Sequence, residues 1–336
     1  MERYIGTLVR WLLLPVGLFI LGMALYFLMR LFRWDRHQAT GIALISPWLY
    51  GFIGFTAIPI FYSLYLSFTD FSLFGKAKWV GLGNYIKLFT RDIDFWPSIR
   101  ITLLYAVLTL PVGVFGSILV ALLINRDVRG IKIFRTIFYL TAILPDSAVA
   151  IIWRQLFSGE NGLINFFLSI FGVDKIDWFG NPKYVLPTFV IISVWGIFGT
   201  NTIIFLAALK DVPKSLYESA ELDGTGGFSK FVHITIPQIS SVILVQVVMS
   251  LIGSMQMFTV AQFLRPTTQA GLFMNQLVYT RGFTQLHMGE ASAIAWILFV
   301  IILILTLLVF KTSPAWVHYE TEIKRVKKVK KKLASG

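Results

Sequence analysis

Residues 211–237, DVPKSLYESAELDGTGGFSKFVHITIP, form the longest polar segment between two strongly apolar stretches of the chain. Asp211 can cap a helix, and Pro213 suits the first turn of that helix, where its missing N–H costs nothing. Gly224 can end the helix in a left-handed conformation. The sequence therefore predicts a short helix over 213–223, which lies in water between two membrane-spanning helices.

A second short helix is expected over 225–233. It should end before Pro237, because the residue that precedes a proline disfavours helical backbone angles. The two helices would form a compact elbow, and we use that name below for residues 211–237.

The elbow carries acidic, small and apolar residues in a particular order: Glu218, Ser219, Ala220, Gly224, Ile234, Ile236 and Pro237. This order resembles the EAA loop of ABC importer permeases, which reads E-A-A, three residues, G, nine residues, I, any residue, L-P. The two replacements, serine for alanine and isoleucine for leucine, keep the size class of the side chain. The resemblance implies that the elbow is a coupling helix, which docks on a cytoplasmic ATP-binding subunit through Glu218, Ser219, Ala220, Gly224, Ile234 and Pro237. An ordinary interhelical loop is the alternative interpretation.

Composition excludes an ordinary soluble domain. The 336 residues are 56% hydrophobic and only 14% charged, whereas soluble domains carry about 25% charged residues. The net charge of +13 is concentrated in short basic segments beside apolar stretches, so it indicates membrane topology rather than nucleic-acid binding. The absence of cysteine excludes disulfides and thiolate metal ligands.

Seven stretches are apolar enough to span a membrane, since a spanning helix needs roughly 20 mostly apolar residues. They are residues 11–29, 41–68, 99–125, 133–157, 184–209, 239–263 and 291–310. The predicted fold is thus all-α, a polytopic helical membrane protein. Prolines within the spans predict kinks, at Pro47, Pro59, Pro111, Pro145 and Pro187.

Lysine and arginine indicate the orientation of the spans. They are more frequent around 30–36, 126–135, 210–230 and 311–332 than in the N-terminus and the loops 69–98, 158–183 and 264–288. This asymmetry places the elbow and the C-terminus in the cytoplasm and the N-terminus outside. The basic residues of the tail, between Lys324 and Lys332, are expected to contact anionic membrane lipid.

Beyond the elbow, residues 41–310 resemble the MalF-type sugar permeases. The segments that carry this resemblance are 79–85, 125–136, Pro145 with Trp153, and 288–293. The resemblance implies a six-helix permease core at 41–312, with one extra membrane helix in 1–40 before it and a basic tail at 313–336 after it. It also implies import of a carbohydrate, with an oligosaccharide favoured, across a bacterial or archaeal cytoplasmic membrane.

The same resemblance implies the partners. They are a second permease with its own EAA loop, two ATP-binding subunits, an extracytoplasmic solute-binding protein, the carbohydrate and membrane lipid, without nucleic acid. The chain lacks the P-loop pattern G-x-x-x-x-G-K-[ST], so it is expected to be neither an ATPase nor another enzyme. It should bind no cofactor itself, and ATP and Mg²⁺ would be bound by the ATP-binding subunits.

A sugar pathway needs aromatic faces and neutral hydrogen-bonding groups on the inner faces of apolar helices. Polar side chains interrupt the fifth and sixth apolar stretches, and those of the sixth recur at helical spacing. In the resembling maltose permease the sugar contacts lie on these two helices. The candidate pathway residues are Ile197, Thr200, Asn201, Ser250, Gly253, Ser254 and Met257. For any one of them, helix packing by small and amide residues is an equally good explanation.

Asp146 and Arg154 are the clearest charges within a predicted span, and such charges are often functional. The alternative is that Asp146 lies near the outer end of a kinked helix and is simply solvated. Eight residues along a helix separate Asp146 from Arg154 by about 12 Å, which is too far for an ion pair. His233 and His287 lie far from any carboxylate cluster, so no metal site is predicted. An ion-coupled secondary transporter is the alternative function, but it would carry several buried carboxylates, and only Asp146 and Glu290 qualify.

Overall fold

The computed structural model describes residues 2–75, 77–125 and 129–318, with side chains from residue 16 onward. This part of the chain is almost entirely helical, as predicted. The α-helices are α1 (Glu2–Leu31), α2 (Arg36–Phe52), α3 (Ile58–Ser67), α4 (Gly83–Thr90), α5 (Phe95–Ile124), α6 (Ile131–Ile143), α7 (Asp146–Leu156), α8 (Leu163–Ile170), α9 (Pro182–Asp211), α10 (Lys214–Leu222), α11 (Gly227–Lys230), α12 (Ile236–Met255), α13 (Thr259–Leu264), α14 (Met274–Tyr279) and α15 (Met288–Thr312). Two short antiparallel strands, β1 (Thr69–Asp70) and β2 (Lys78–Trp79), pair in the first outer loop.

Five of the helical segments in the described residues are long and apolar enough to cross a membrane. They are Arg36–Ser67, Phe95–Ile124, Pro182–Asp211, Gly227–Leu264 and Met288–Ala315. The pair α6 and α7, which is bent by 103°, counts as a sixth span when its two helices are taken as one broken crossing. The predicted helical membrane fold is therefore confirmed with five to six membrane helices, although the fourth predicted span is not one continuous helix.

The bend in the fourth span lies at Leu144 and Pro145. Both residues have extended backbone angles, with ψ of 133° and 137°. A proline clashes with a helical conformation at the residue before it, which explains why α6 ends at Ile143. Asp146 then opens α7 as its first residue.

Prolines within two other spans are accommodated by π-helical turns. One turn, Ile53–Ala57, ends two residues before Pro59, and the other, Phe231–Thr235, ends two residues before Pro237. A π turn shifts the backbone bonding by one residue and so adjusts the helix to the missing N–H of the proline.

The π turn at Phe231–Thr235 shows that the predicted end of the elbow was wrong. The helix was expected to stop before Pro237, but the chain runs from α11 through the turn into α12, with Pro237 as the second residue of α12. The start of the elbow also differs, because α9 extends through Asp211 and Pro213 is the N-cap of α10. The elbow is therefore built directly onto the ends of two membrane spans.

The N-terminal helix α1 packs against α2. A Cβ added at Gly22 would lie 3.1 Å from Ser46 Oγ and 3.2 Å from the carbonyl oxygen of Ala43, so the two helices touch where glycine permits it. The described apolar part of α1 covers 16–31, and its role as an extra membrane span stays a prediction. The predicted lipid-binding tail, Lys324–Lys332, lies outside the described residues.

The centre of the molecule is the contact between α5 and α9. Small residues of α5 face large ones of α9, and a Cβ at Gly116 would lie 2.2 Å from the ring of Phe198. α12 packs beside α5, and α6 packs beside α9. This arrangement leaves a space between α9, α12 and the bent fourth span.

Candidate functional site

A cavity of about 510 Å³ occupies this space. All seven residues predicted for the pathway line it: Ile197, Thr200, Asn201, Ser250, Gly253, Ser254 and Met257. The first three lie on α9 and the next three on α12. Their placement around one cavity shows that they can meet one ligand, whereas their role in transport stays a prediction.

The two helices are joined at the cavity wall by a side-chain hydrogen bond. The amide of Asn201 donates from Nδ2 to Ser250 Oγ over 3.3 Å, and Asn201 is only 6% exposed. Ser254 is also buried, and its hydroxyl donates to the carbonyl of Leu251 in its own helix. Part of the polar set thus contributes to helix packing, while Thr200 and Gly253 are exposed towards the cavity.

Met257 differs from the expected arrangement. It was grouped with Ser250 and Ser254 at helical spacing, but α12 ends at Met255 and α13 begins at Thr259. Met257 lies in the break between these helices and packs into a buried apolar cluster. It reaches the cavity from an irregular segment, so its distance from Ser254 does not follow the helical repeat.

Several lining residues were not among the predicted ones. Tyr105 of α5 donates a short hydrogen bond to the hydroxyl of Ser193 on α9, and Gln246 lies one turn before Ser250 on α12. Gln246 precedes the predicted residue Ser250 by four positions, and this helical-face spacing could have identified it. Tyr105 carries no such signal, because only the packing of α5 on α9 brings it to the cavity.

Asp146 is the single acidic or basic side chain among the described lining residues. It reaches the cavity because the bend after Ile143 turns the start of α7 towards α9 and α12. Arg154 lies two turns further along α7 and does not line the cavity. Glu290, the other carboxylate considered for ion coupling, lies outside the cavity and pairs with Lys87.

In the described residues there is no group of three or more histidine, aspartate or glutamate side chains that could hold a metal ion. The remaining lining groups are hydroxyls, amides, aromatic rings and aliphatic side chains. Such a surface can hydrogen-bond the hydroxyl groups of a neutral ligand and stack on its apolar faces.

In the elbow, α10 is followed by a glycine in the left-handed conformation, as predicted. Gly224 has a φ of +69°, its N–H donates to the carbonyl of Glu221, and the N–H of Thr225 donates to the carbonyl of Ala220. A Cβ added at Gly224 would meet nothing within 4 Å. The turn therefore needs glycine for its backbone angle and not for space.

The predicted docking residues do not share one surface. Glu218 and Ser219 are exposed on α10, whereas Ile234 packs against the buried cluster beneath the elbow. Pro237 lies within α12. Ile234 and Pro237 thus shape the elbow from below, and an outside partner would meet α10 and the Gly224 turn.

Two apolar side chains of the elbow were missed. Leu222 is 91% exposed and Phe228 is 81% exposed, and they flank the Gly224 turn. Large apolar side chains at the tip of an otherwise polar segment are typical of a protein-binding surface.

Residues 113–313 match the family model described as "Binding-protein-dependent transport system inner membrane component". The chain is 40% identical over 294 residues to the "Probable ABC transporter permease protein YesP" of Bacillus subtilis (strain 168), which covers 85% of this chain and 94% of that protein. It is 31% identical over 276 residues to the "Arabinooligosaccharides transport system permease protein AraP" of the same organism, covering 81% and 87% of the two chains.

The fold is similar to that of a solved transporter. A chain of the crystal structure of a bacterial alginate ABC transporter, in complex with an alginate pentasaccharide-bound periplasmic protein, superposes with a TM-score of 0.72 and 26% sequence identity. The match covers 81% of this chain and 92% of that chain.

Proposed function

This chain belongs to the inner-membrane components of binding-protein-dependent transport systems, and we propose that it carries an oligosaccharide through the cavity between α9 and α12. Family membership confirms the predicted permease, which is a transport component and not an enzyme. It lends no support to the ion-coupled secondary transporter. The sugar and the pathway residues are the parts that we propose.

The lining of the cavity is the observation that carries this proposal. Its walls combine the indole of Trp195 with the hydroxyls of Thr200 and Ser250 and the amides of Asn201 and Gln246. Sugar rings are bound by aromatic faces and by neutral donors and acceptors of this kind. Two of the similar proteins are named for arabinooligosaccharides and alginate, which supports a carbohydrate as the class of substrate.

The elbow is the part that we propose to bind an ATP-binding subunit. Glu218, Ser219 and Ala220 would lie on the docked surface of α10, and Leu222 and Phe228 would supply apolar contact. ATP and Mg²⁺ would be bound by that subunit. Because α9 and α12 both enter the elbow and both line the cavity, a movement of the elbow would reach the cavity through two rigid helices.

The remaining partners follow from the kind of transporter. A second permease with its own elbow would close the open side of the cavity, and a solute-binding protein would deliver the sugar from outside. The elbow and the C-terminus would lie in the cytoplasm, with the N-terminus outside. Closure of the ATP-binding subunits would then shift the spans between two states that expose the cavity to opposite sides of the membrane.

Blocking the cavity tests the pathway. A Cβ at Gly253 meets nothing within 4 Å, and this residue lines the cavity, so Gly253→Phe should place an aromatic ring in the cavity and obstruct it without disturbing the fold. Val245 lies on the same helix, is 57% exposed and does not line the cavity, which makes Val245→Phe the matched control.

The measurement is uptake of labelled arabino-, xylo-, malto- and galacturono-oligosaccharides by cells that express the complete transporter. We expect Gly253→Phe to abolish uptake of the transported sugar while ATP hydrolysis by the purified complex persists, and Val245→Phe to retain both. Equal uptake in the two variants would contradict the proposed pathway. Uptake of none of the sugars by the parent would contradict a carbohydrate substrate.

A further inference from the structure

Between α7 and α9 the chain forms a compact hairpin with α8 at its centre. Its organising residue is Asn165, which is 3% exposed. The amide of Asn165 donates from Nδ2 to the carbonyls of Gly159 (2.8 Å) and Ile176 (2.9 Å), and its Oδ1 accepts from Trp178 Nε1 over 3.0 Å. These bonds join the chain segments before and after α8, so the hairpin holds together as one unit.

Both long sides of α8 are apolar. The inner side, with Ile164 and Leu168, packs into the cluster that contains Phe157 and Val185. The outer side has no partner in the described residues, and its side chains are 55% to 82% exposed: Leu163, Phe166, Phe167, Ile170 and Phe171. Their spacing of three, four, seven and eight residues places them on one face of the helix.

The contacts of α8 also give its height along the membrane spans. Phe157 directly follows α7, and Val185 lies in the first turn of α9. α9 has 30 residues and is about 45 Å long at 1.5 Å per residue, whereas the hydrocarbon layer is about 30 Å thick. If the layer is centred on α9, about 7 Å of the helix extends beyond each side of it. The first turn of α9 therefore lies in the headgroup region, and α8 lies beside it.

Charge indicates which occupant covers the outer face. Residues 161–173 contain no charged side chain, and the nearest charges are Glu160 and Asp174 on either side. A protein partner at a membrane surface would meet a mixture of apolar and polar groups. An uncharged apolar stripe at the edge of the hydrocarbon layer fits the lipid boundary instead.

We propose that α8 is an interfacial helix, whose outer face inserts into the boundary between lipid headgroups and acyl chains. It would anchor the end of α7, which the 103° bend turns away from a straight crossing of the membrane. The sequence counts 158–183 only as one of the loops on the outer side. On this proposal, part of that loop lies in the membrane surface.

The test uses the absence of cysteine from the chain. Single cysteines replace Phe167 or Phe171 on the outer face and Asn161 as an exposed polar control, and each carries a nitroxide label. The complete transporter is placed in nanodiscs of phosphatidylethanolamine and phosphatidylglycerol. Power saturation then compares collisions of the label with oxygen, which partitions into lipid, and with a water-soluble nickel chelate.

We expect labels at Phe167 and Phe171 to collide at least threefold more with oxygen, relative to the nickel chelate, than the label at Asn161. A preference for the nickel chelate at both outer positions would place α8 in water and overturn the proposal. Low accessibility to both reagents at these positions would mean that a protein subunit covers α8, and this result would overturn it as well.

Discussion

Replacing Gly199 by alanine tests whether the bent fourth span is held against the fifth by close contact of α6 and α9. A Cβ at Gly199 would lie 1.6 Å from Thr141 Oγ1, 2.9 Å from Thr141 Cβ and 3.0 Å from the carbonyl oxygen of Phe138. The hydroxyl of Thr141 donates to that carbonyl over 2.7 Å. The added methyl group must therefore push α6 away or turn Thr141 out of its hydrogen bond.

The expected loss can be estimated from these contacts. Overpacking costs about 1 to 3 kcal/mol, and the loss of the hydrogen bond costs about 1 kcal/mol. Alanine favours a helix over glycine by about 1 kcal/mol, so Gly199→Ala should destabilise the protein by about 1 to 3 kcal/mol. Gly196→Ala, one turn earlier, meets nothing within 4 Å and should be neutral or stabilise it by up to about 1 kcal/mol.

The assay is the apparent melting temperature of the purified complex in detergent. It is measured as the fraction of the complex that stays monodisperse after heating to each temperature. Gly199→Ala should melt a few degrees below the parent, and Gly196→Ala should not. Adding Thr141→Ala removes the atom at 1.6 Å and should restore part of the loss. Equal melting of the two glycine variants, or no recovery with Thr141→Ala, would refute the close contact.

Three further predictions concern the elbow, the energy source and the outer loops. Gly224→Ala should reduce transport and weaken retention of the ATP-binding subunit, because alanine at a φ of +69° costs about 1 to 2 kcal/mol. Gly226 has a φ of −69° and should tolerate alanine. Equal transport and equal retention of the subunit in the two variants would argue against the elbow as the docking site. The purified chain alone should hydrolyse no ATP, since it has no P-loop, and hydrolysis by the isolated chain would contradict the assignment of ATP to a partner. Arg281→Gln should destabilise the complex by about 3 kcal/mol, because it leaves the carboxylate of Asp92, 3% exposed, without its cation. Lys230→Gln breaks a pair with an exposed partner and should cost less than about 1 kcal/mol; similar melting temperatures for these two variants would contradict this difference.

The sequence predicted which helices carry the candidate site better than it predicted the full set of residues that line the cavity. The resemblance to the maltose permease placed the candidates on α9 and α12, and the spacing of Ser250 and Ser254 put these two residues on one helical face. Tyr105 and Asp146 were not predicted to line the cavity. They lie on α5 and α7, and only the tertiary packing brings these helices to the cavity. The exposed apolar faces of α8 and of the elbow tip were missed for the same reason. Whether an apolar residue between two spans is buried or exposed depends on its neighbours in the tertiary structure, which the sequence does not give.

Composition and the length of the apolar stretches determined by themselves that this chain is a helical membrane protein. In hydrocarbon every backbone N–H and carbonyl must be bonded within the structure, which leaves helices as the solution for such stretches. The elbow pattern and the left-handed turn at Gly224 were also local properties of the sequence. The 103° bend at Pro145 and the break around Met257 were decided by the tertiary structure. A proline only permits a bend, and its angle depends on which neighbouring helix the freed segment packs against.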